Sequence, residues 1–181
     1  MTHAGSALLD PHAVFEKIAL APGMRVADLG CGRTGHFVFP ASRVVGEQGV
    51  VYAVDVVKSI LESIRSRARS EAYDNVQTVW SNIELPGGTP IPPETLDNCF
   101  FVNVLFLVDD KRGALAEGAR LLKKGGRLVV VVWESNLGLV GPTKQQMVDK
   151  AAVSELLTQL GLVEEDAFAM GEHHYCLIFK K

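Results

Sequence analysis

The run RLVVVVW, residues 127–133, sets the tightest limit on what this chain can fold into. Successive side chains of a strand point to opposite faces, so an unbroken β-branched run marks a strand buried on both. Such a strand needs helices above and below it, the arrangement of a parallel α/β sheet. The matching pieces are present. MRVADL (24–29), VVYAVD (50–55), VQTVWS (76–81) and DNCFFVN (97–103) read as further short strands. Between them, KSILESIRSRARS (58–70) puts Ile60, Leu61 and Ile64 on one helical face. DKRGALAEGARLLKKGG (110–126) reads as a helix with a glycine stop. Asp10-Pro11 reads as the cap and first position of an N-terminal helix, and Pro40 suits the first turn of a helix from about Phe39 to Gly46.

LPGGTPIPPET (85–95) is too rich in turn residues for a helix or a central strand. A loop over 134–143 precedes a helix expected from Thr143 to Leu160, and LVEEDAFAM and HHYCLIFKK close the chain as a hairpin about Gly171-Glu172. The expectation is a Rossmann-like, doubly wound, mostly parallel sheet of about seven strands. Helices cover both faces, and the C-terminal hairpin is antiparallel. Its 181 residues suit a single domain, 1–181, with no separate substrate domain.

Composition excludes some partners. A net charge of −3 gives no reason to expect a polyanion, so no nucleic acid is expected, and the short basic clusters read as solvated helix faces. The longest apolar stretches, 99–108 and 128–133, fall short of the ~20 residues that span a bilayer. No secretory leader is evident at the N-terminus. Three widely spaced cysteines, Cys31, Cys99 and Cys176, argue against a disulfide framework and for a reducing, cytoplasmic setting.

In an open α/β sheet a ligand binds outside the carboxyl ends of the strands, where their order reverses. The residues there are Asp28 to Gly35, Asp55, Asn82 and Asn103. DLGCGRTG (28–35) spaces Gly30, Gly32 and Gly35 as in a dinucleotide-binding loop, and Asp55 lies where an acid would hold a ribose. Asp28 conflicts with that reading, because it sets a negative charge close to a pyrophosphate. A ligand with a cation there removes the conflict. S-adenosylmethionine has no phosphate, carries an ammonium and a sulfonium, and keeps the ribose diol and adenine. Each residue also has a plainer role open to it: Asp28 as a satisfied strand-end carboxylate, Asp55 as a cap of the helix at 58–70, Asn103 as a backbone partner, the glycines as a turn.

VADLGCGRTG, VYAVDVV, WSNIELP and the block LDNCFFVNVLFLVDDKRGALAEGARLLKKGGRLVVVVW, in that order, resemble the class I S-adenosylmethionine-dependent methyltransferases. They are most similar to the small-molecule group that includes quinone-biosynthesis C-methyltransferases. The resemblance implies that Gly30, Gly32 and Gly35 let the backbone approach the amino-acid part of the cofactor, with Asp28 on the ammonium side. It implies that Asp55 holds the ribose hydroxyls, that Val56 packs on adenine, and that Asn82 and Ile83 meet the adenine edge. Asn82 stands where the family usually has an acid. Asn103 would face the methionine portion or the acceptor.

Methyl transfer needs placement of donor and acceptor rather than a protein nucleophile. His36, Asp109, Asp110 and Glu134 are candidate bases, and none is assigned. After the fourth strand the chain reads Asn103-Val104-Leu105-Phe106, not the Asn/Asp-Pro-Pro-aromatic sequence of enzymes that methylate exocyclic amines. Cys31, Cys99 and Cys176 do not form the thiol cluster of an arsenite methyltransferase. His173 and His174 alternate on a strand, so with Cys176 they make a poor metal site, and no metal is expected. Phe106, Leu107, Trp133, Leu137, Leu139 and Met147 would give the acceptor an apolar rim, under a cover formed by 134–148. The expected activity is methyl transfer to a small, partly hydrophobic acceptor. An RNA or protein methyltransferase with the same cofactor site, or a cofactor-binding protein without turnover, remain as alternatives.

Overall fold

The alternating pieces assemble into one seven-stranded sheet in the computed structural model, which describes residues 9–135 and 141–181. The elements are α1 (Pro11–Lys17), β1 (Arg25–Leu29), α2 (Val38–Val45), β2 (Val50–Asp55), α3 (Lys58–Ser70), β3 (Val76–Trp80) and β4 (Leu96–Val102). A 3-10 turn (Leu105–Leu107), α4 (Lys111–Leu121), β5 (Leu122–Trp133), α5 (Lys150–Gln159), β6 (Val163–Met170) and β7 (His174–Lys180) follow. The strand order is β3-β2-β1-β4-β5-β7-β6. The first five strands are parallel, and β7 runs antiparallel to both β5 and β6. The chain winds outward from β1 to β3 and then returns to the other side of β1 as β4. That reversal opens a crevice at the carboxyl ends of β1 and β4.

The valine run behaves as its composition demands. Leu128, Val130 and Val132 join one core with Ala114 and Leu115 of α4 and Val153 and Leu157 of α5. Val129 and Val131 join the opposite core with Val14 and Phe15 of α1, Phe39 of α2 and Ile64 of α3. The sheet is thus the middle of three layers. At about 1.5–3 kcal/mol for each buried large aliphatic side chain, neither face of β5 could tolerate solvent.

Two boundaries differ from the sequence expectation. The helix expected over 110–126 ends at Leu121, because Leu122 turns into the extended region (φ −69°, ψ 134°) and pairs with Leu96. The register then shifts so that Asn98 faces Arg127, and Gly125 (φ +80°) sits in the irregular stretch between. The helix expected from Thr143 begins only at Lys150. Thr143 and Gln146 close a local turn on each other, whereas Asp149 caps the helix by accepting from the Ala151 amide at 2.9 Å. Both Thr and Asp are good caps, and composition does not choose between them. Gly138, Leu137 and Leu139 lie outside the described residues, so the cover expected over 134–148 is described only at its two ends.

The turn-rich segment after β3 is pinned by a buried acid. Glu117 of α4, with no exposed surface, accepts from the amides of Gly87 (2.6 Å) and Thr89 (2.9 Å) and pairs with Arg120 at 2.7 Å. Burial alone would raise its pKa, but the Arg120 guanidinium and these amides outweigh it and hold Glu117 down to about 2. No described helix is long and apolar enough to cross a membrane.

Candidate functional site

The three glycines after β1 have three different tasks. Gly30 (φ +84°) packs so closely on the segment after β4 that a Cβ would overlap Val104 Cγ2. A Cβ on Gly32 (φ +63°) would meet nothing within 4 Å, because that position borders open cleft. Gly35 faces inward instead, where a Cβ would lie 2.8 Å from both Ile64 Cδ1 and Phe39 Cε2. It serves the packing of α2 and α3, and it does not line the cleft.

The other eight residues expected at the site do come together. Asp28, Gly30, Gly32, Asp55, Val56, Asn82, Ile83 and Asn103 border one cleft of about 520 Å³, within the range of small-ligand sites. It lies across the ends of β1 to β4, at the reversal of strand order. Across the sheet the polar strand ends run Asn82 (β3), Asp55 (β2), Asp28 (β1), Asn103 (β4). Beyond Asn103, Trp133 at the end of β5, together with Phe106, Leu107, Phe37, Leu9 and Gly141, makes the cleft apolar. Of the expected rim, Leu107 is exposed and Met147 does not border the cleft.

The charges in the cleft have one sign. Asp28, Asp55 and Glu84 border it, and among the described residues no lysine or arginine does. Asp28 is 2% exposed, and no described residue donates a hydrogen bond to its carboxylate. Burial, and after it the charge of Asp55, push Asp28 up to about 7. Asp55 is better supplied: it accepts from the amides of Val57 (2.9 Å) and Gly32 (3.2 Å), which ties the glycine loop to β2. Asp55 is not the cap of α3, whose N-cap is Val57 without a side-chain hydrogen bond; it supports the turn before that helix, and this leaves ligand contact open to it. Such a site favours a cation and repels a phosphate.

Asn82 Oδ1 accepts from the Glu84 amide at 3.0 Å, so one lone pair of its carbonyl is turned to the backbone. Ile83 is buried, while Val56 is 54% exposed at the mouth of the cleft. Asn103 ends β4 in the left-handed region (φ +52°), a conformation asparagine tolerates better than most residues. Its side-chain amide lies 3.0 Å from His174 Nε2 on β7. No local pattern points to this partner, because 71 residues separate the two.

Of the four candidate bases, only His36 borders the cleft, and its Nε2 lies 2.8 Å from the Leu9 carbonyl. Asp110 caps α4 through Gly113, and Glu134 pairs with Lys150 on the surface. Cys31 borders the cleft too, but burial, then Asp28 and Asp55, raise its thiol far from ionisation. It is no nucleophile.

A family profile described as "Methyltransferase domain" matches residues 20–170. The ubiquinone/menaquinone biosynthesis C-methyltransferase UbiE of Vibrio campbellii is 37% identical over 148 residues, which is 81% of this chain and 54% of that protein. Aklanonic acid methyltransferase DauC of a Streptomyces species is 35% identical over 106 residues, 59% of this chain and 46% of that one. The chain spans about half the length of these curated relatives. A crystal structure of a SAM-dependent methyltransferase from Aquifex aeolicus superposes with a TM-score of 0.85 at 24% identity, covering 95% of this chain and 89% of that one, and so shares the fold. Profile, relatives and fold agree with the four motifs: this chain belongs to the methyltransferase-domain family, the class I S-adenosylmethionine-dependent group.

Proposed function

We propose that the protein transfers a methyl group from S-adenosylmethionine to a small, partly apolar acceptor. One observation carries the reading: the ends of β1 to β4 set two carboxylates and two side-chain amides around a single cleft that no described cation borders. The cofactor fits what the residues offer. Asp28, buried and with no donor among the described residues, suits an ammonium. Asp55 keeps lone pairs beyond those used by Val57 and Gly32, enough for a ribose diol. Gly32 leaves open space beside them.

The bound cofactor supplies an electrophilic methyl on a sulfonium. The protein's part is then placement. Asp28 holds the ammonium and Asp55 the ribose, on either side of the sulfonium, and the apolar part of the cleft with Trp133 and Phe106 receives the acceptor, so that its nucleophilic atom meets the methyl in line. Phe37, Val104 and Trp133 keep that end of the cleft dry. An acceptor atom with a free lone pair needs no base, and none is assigned. The names of the similar proteins, which act in quinone biosynthesis and on aklanonic acid, support a small-molecule acceptor with apolar surface.

Calorimetry with S-adenosylmethionine, S-adenosylhomocysteine and NAD tests the cofactor. Binding of the first two without NAD is the expected result, and tighter binding of NAD refutes it. Methyl-labelled donor with a panel of phenolic and quinol acceptors then tests turnover.

A further inference from the structure

His174 is buried, at 1% exposure, on a strand far in sequence from the four methyltransferase motifs. The antiparallel hairpin brings it there. β7 inserts between β5 and β6 and pairs His174 with Trp133, the residue that ends β5 and borders the cleft. The two rings pack with centroids 4.1 Å apart at 44°. On its other side the imidazole meets the Asn103 side chain at 3.0 Å. Burial, and secondarily His173, lower His174 to about 4, so it is neutral at physiological pH and one ring nitrogen can accept a hydrogen bond from an amide N–H.

This pair is incompletely satisfied. His174 Nδ1 and Asn103 Oδ1 are both buried without a hydrogen-bond partner, two of three such side-chain atoms among the described residues. Buried polar atoms without partners are uncommon and costly. Asn103 also holds a left-handed backbone, a conformation other residues tolerate poorly. A left-handed backbone and an unused polar atom therefore meet at one residue, and that residue borders the cleft that Asp28 also lines.

We infer that His174 is a positioning residue for the methyl donor. It clamps one end of the Asn103 amide, and so reserves the other for the α-amino-acid end of the cofactor. This rests on the S-adenosylmethionine reading given above. The order of strand ends supports it. Adenine and ribose would lie toward β3 and β2, so the amino-acid end falls at the adjacent strands β1 and β4, whose ends bring Asp28 and Asn103 to the same cleft. Trp133 holds the imidazole plane, and the imidazole holds the amide plane. Without His174 the Asn103 side chain would rotate freely between orientations, and the ligand would have to fix it on binding.

The test compares two ligands that differ only at that end: S-adenosylhomocysteine, and 5′-methylthioadenosine, which lacks the amino acid. His174→Phe keeps a ring against Trp133 and removes both nitrogens. It is expected to weaken S-adenosylhomocysteine about tenfold by calorimetry and to leave 5′-methylthioadenosine unchanged. His174→Gln, which restores a hydrogen-bonding group, should recover most of the loss. Asn103→Gly, which keeps the left-handed backbone, should show the same selective loss, and the double variant no further one. His174→Leu takes the place of His174→Phe if the latter does not fold. Equal losses for both ligands, or none for S-adenosylhomocysteine, overturn the role of His174. Wild-type protein that binds neither ligand overturns the cofactor reading and this inference with it.

Discussion

Asp28 should make cofactor binding depend on pH in a range where most carboxylates do not titrate. With its pKa at about 7 in the free protein, Asp28 is largely protonated at pH 5.5 and largely ionised at pH 7.5. A ligand whose ammonium sits against this carboxylate selects the ionised form, so binding expels the proton. If the bound carboxylate stays ionised throughout, affinity for S-adenosylhomocysteine should rise about 25-fold from pH 5.5 to 7.5, the ratio of the ionised fractions. At pH 6.5 each binding event should release about three quarters of a proton. Calorimetry in two buffers of different ionisation enthalpy measures that release directly. His36 also borders the cleft, so the control is Asp28→Asn, which removes the titration and leaves His36 in place. The variant should bind about ten- to a hundred-and-fiftyfold more weakly at pH 7.5, for loss of a charged hydrogen bond worth roughly 1.5–3 kcal/mol. Its affinity should be nearly flat with pH. A wild-type affinity flat from pH 5.5 to 7.5, with no proton released, would refute the placement of the cation at Asp28.

Two further outcomes follow from particular contacts. Asp55→Ala should lower affinity for S-adenosylmethionine and S-adenosylhomocysteine by a similar factor of about ten to a hundred and fifty, since the ribose is common to both. Because Asp55 also accepts from Gly32 and Val57, melting temperature should drop as well, by the equivalent of about 1 kcal/mol; a melting shift with affinity intact would remove the ribose role. Glu117→Ala leaves two amides without their acceptor and takes the carboxylate from Arg120, which keeps only its bonds to the Thr89 and Ile91 carbonyls; this should cost roughly 3 kcal/mol, or about 6–12 °C in a thermal melt. An unchanged melt would show that the segment at 85–95 is held by something other than this acid.

The parts of the molecule legible in its sequence are those governed by short-range rules. The valine run, the amphipathic face of α3 and the Asp10-Pro11 cap each state their structure within a few residues, and all three are where the pattern puts them. The cleft residues were legible for a related reason: the parallel strands β1 to β5 all end at the same edge, so a polar residue at the end of one of them is already at the site. Gly35 shows the limit of a motif. Its spacing is that of a ligand-binding loop, but only the positions of Ile64 and Phe39 reveal that its missing Cβ makes room for two side chains. The start of α5 shows another, because Thr143 and Asp149 are both good caps and composition does not say that Thr143 closes a turn with Gln146 instead. His174 marks the furthest reach of what sequence cannot say. On a strand it alternates with His173 and reads as one polar residue among several. What gives it a task is the antiparallel return of β7, which sets it against Trp133 and within reach of Asn103 across the end of β5. A hairpin added to close the sheet thus places a buried hydrogen-bonding group behind the cleft, and the last strand of the fold bears on the first step of binding.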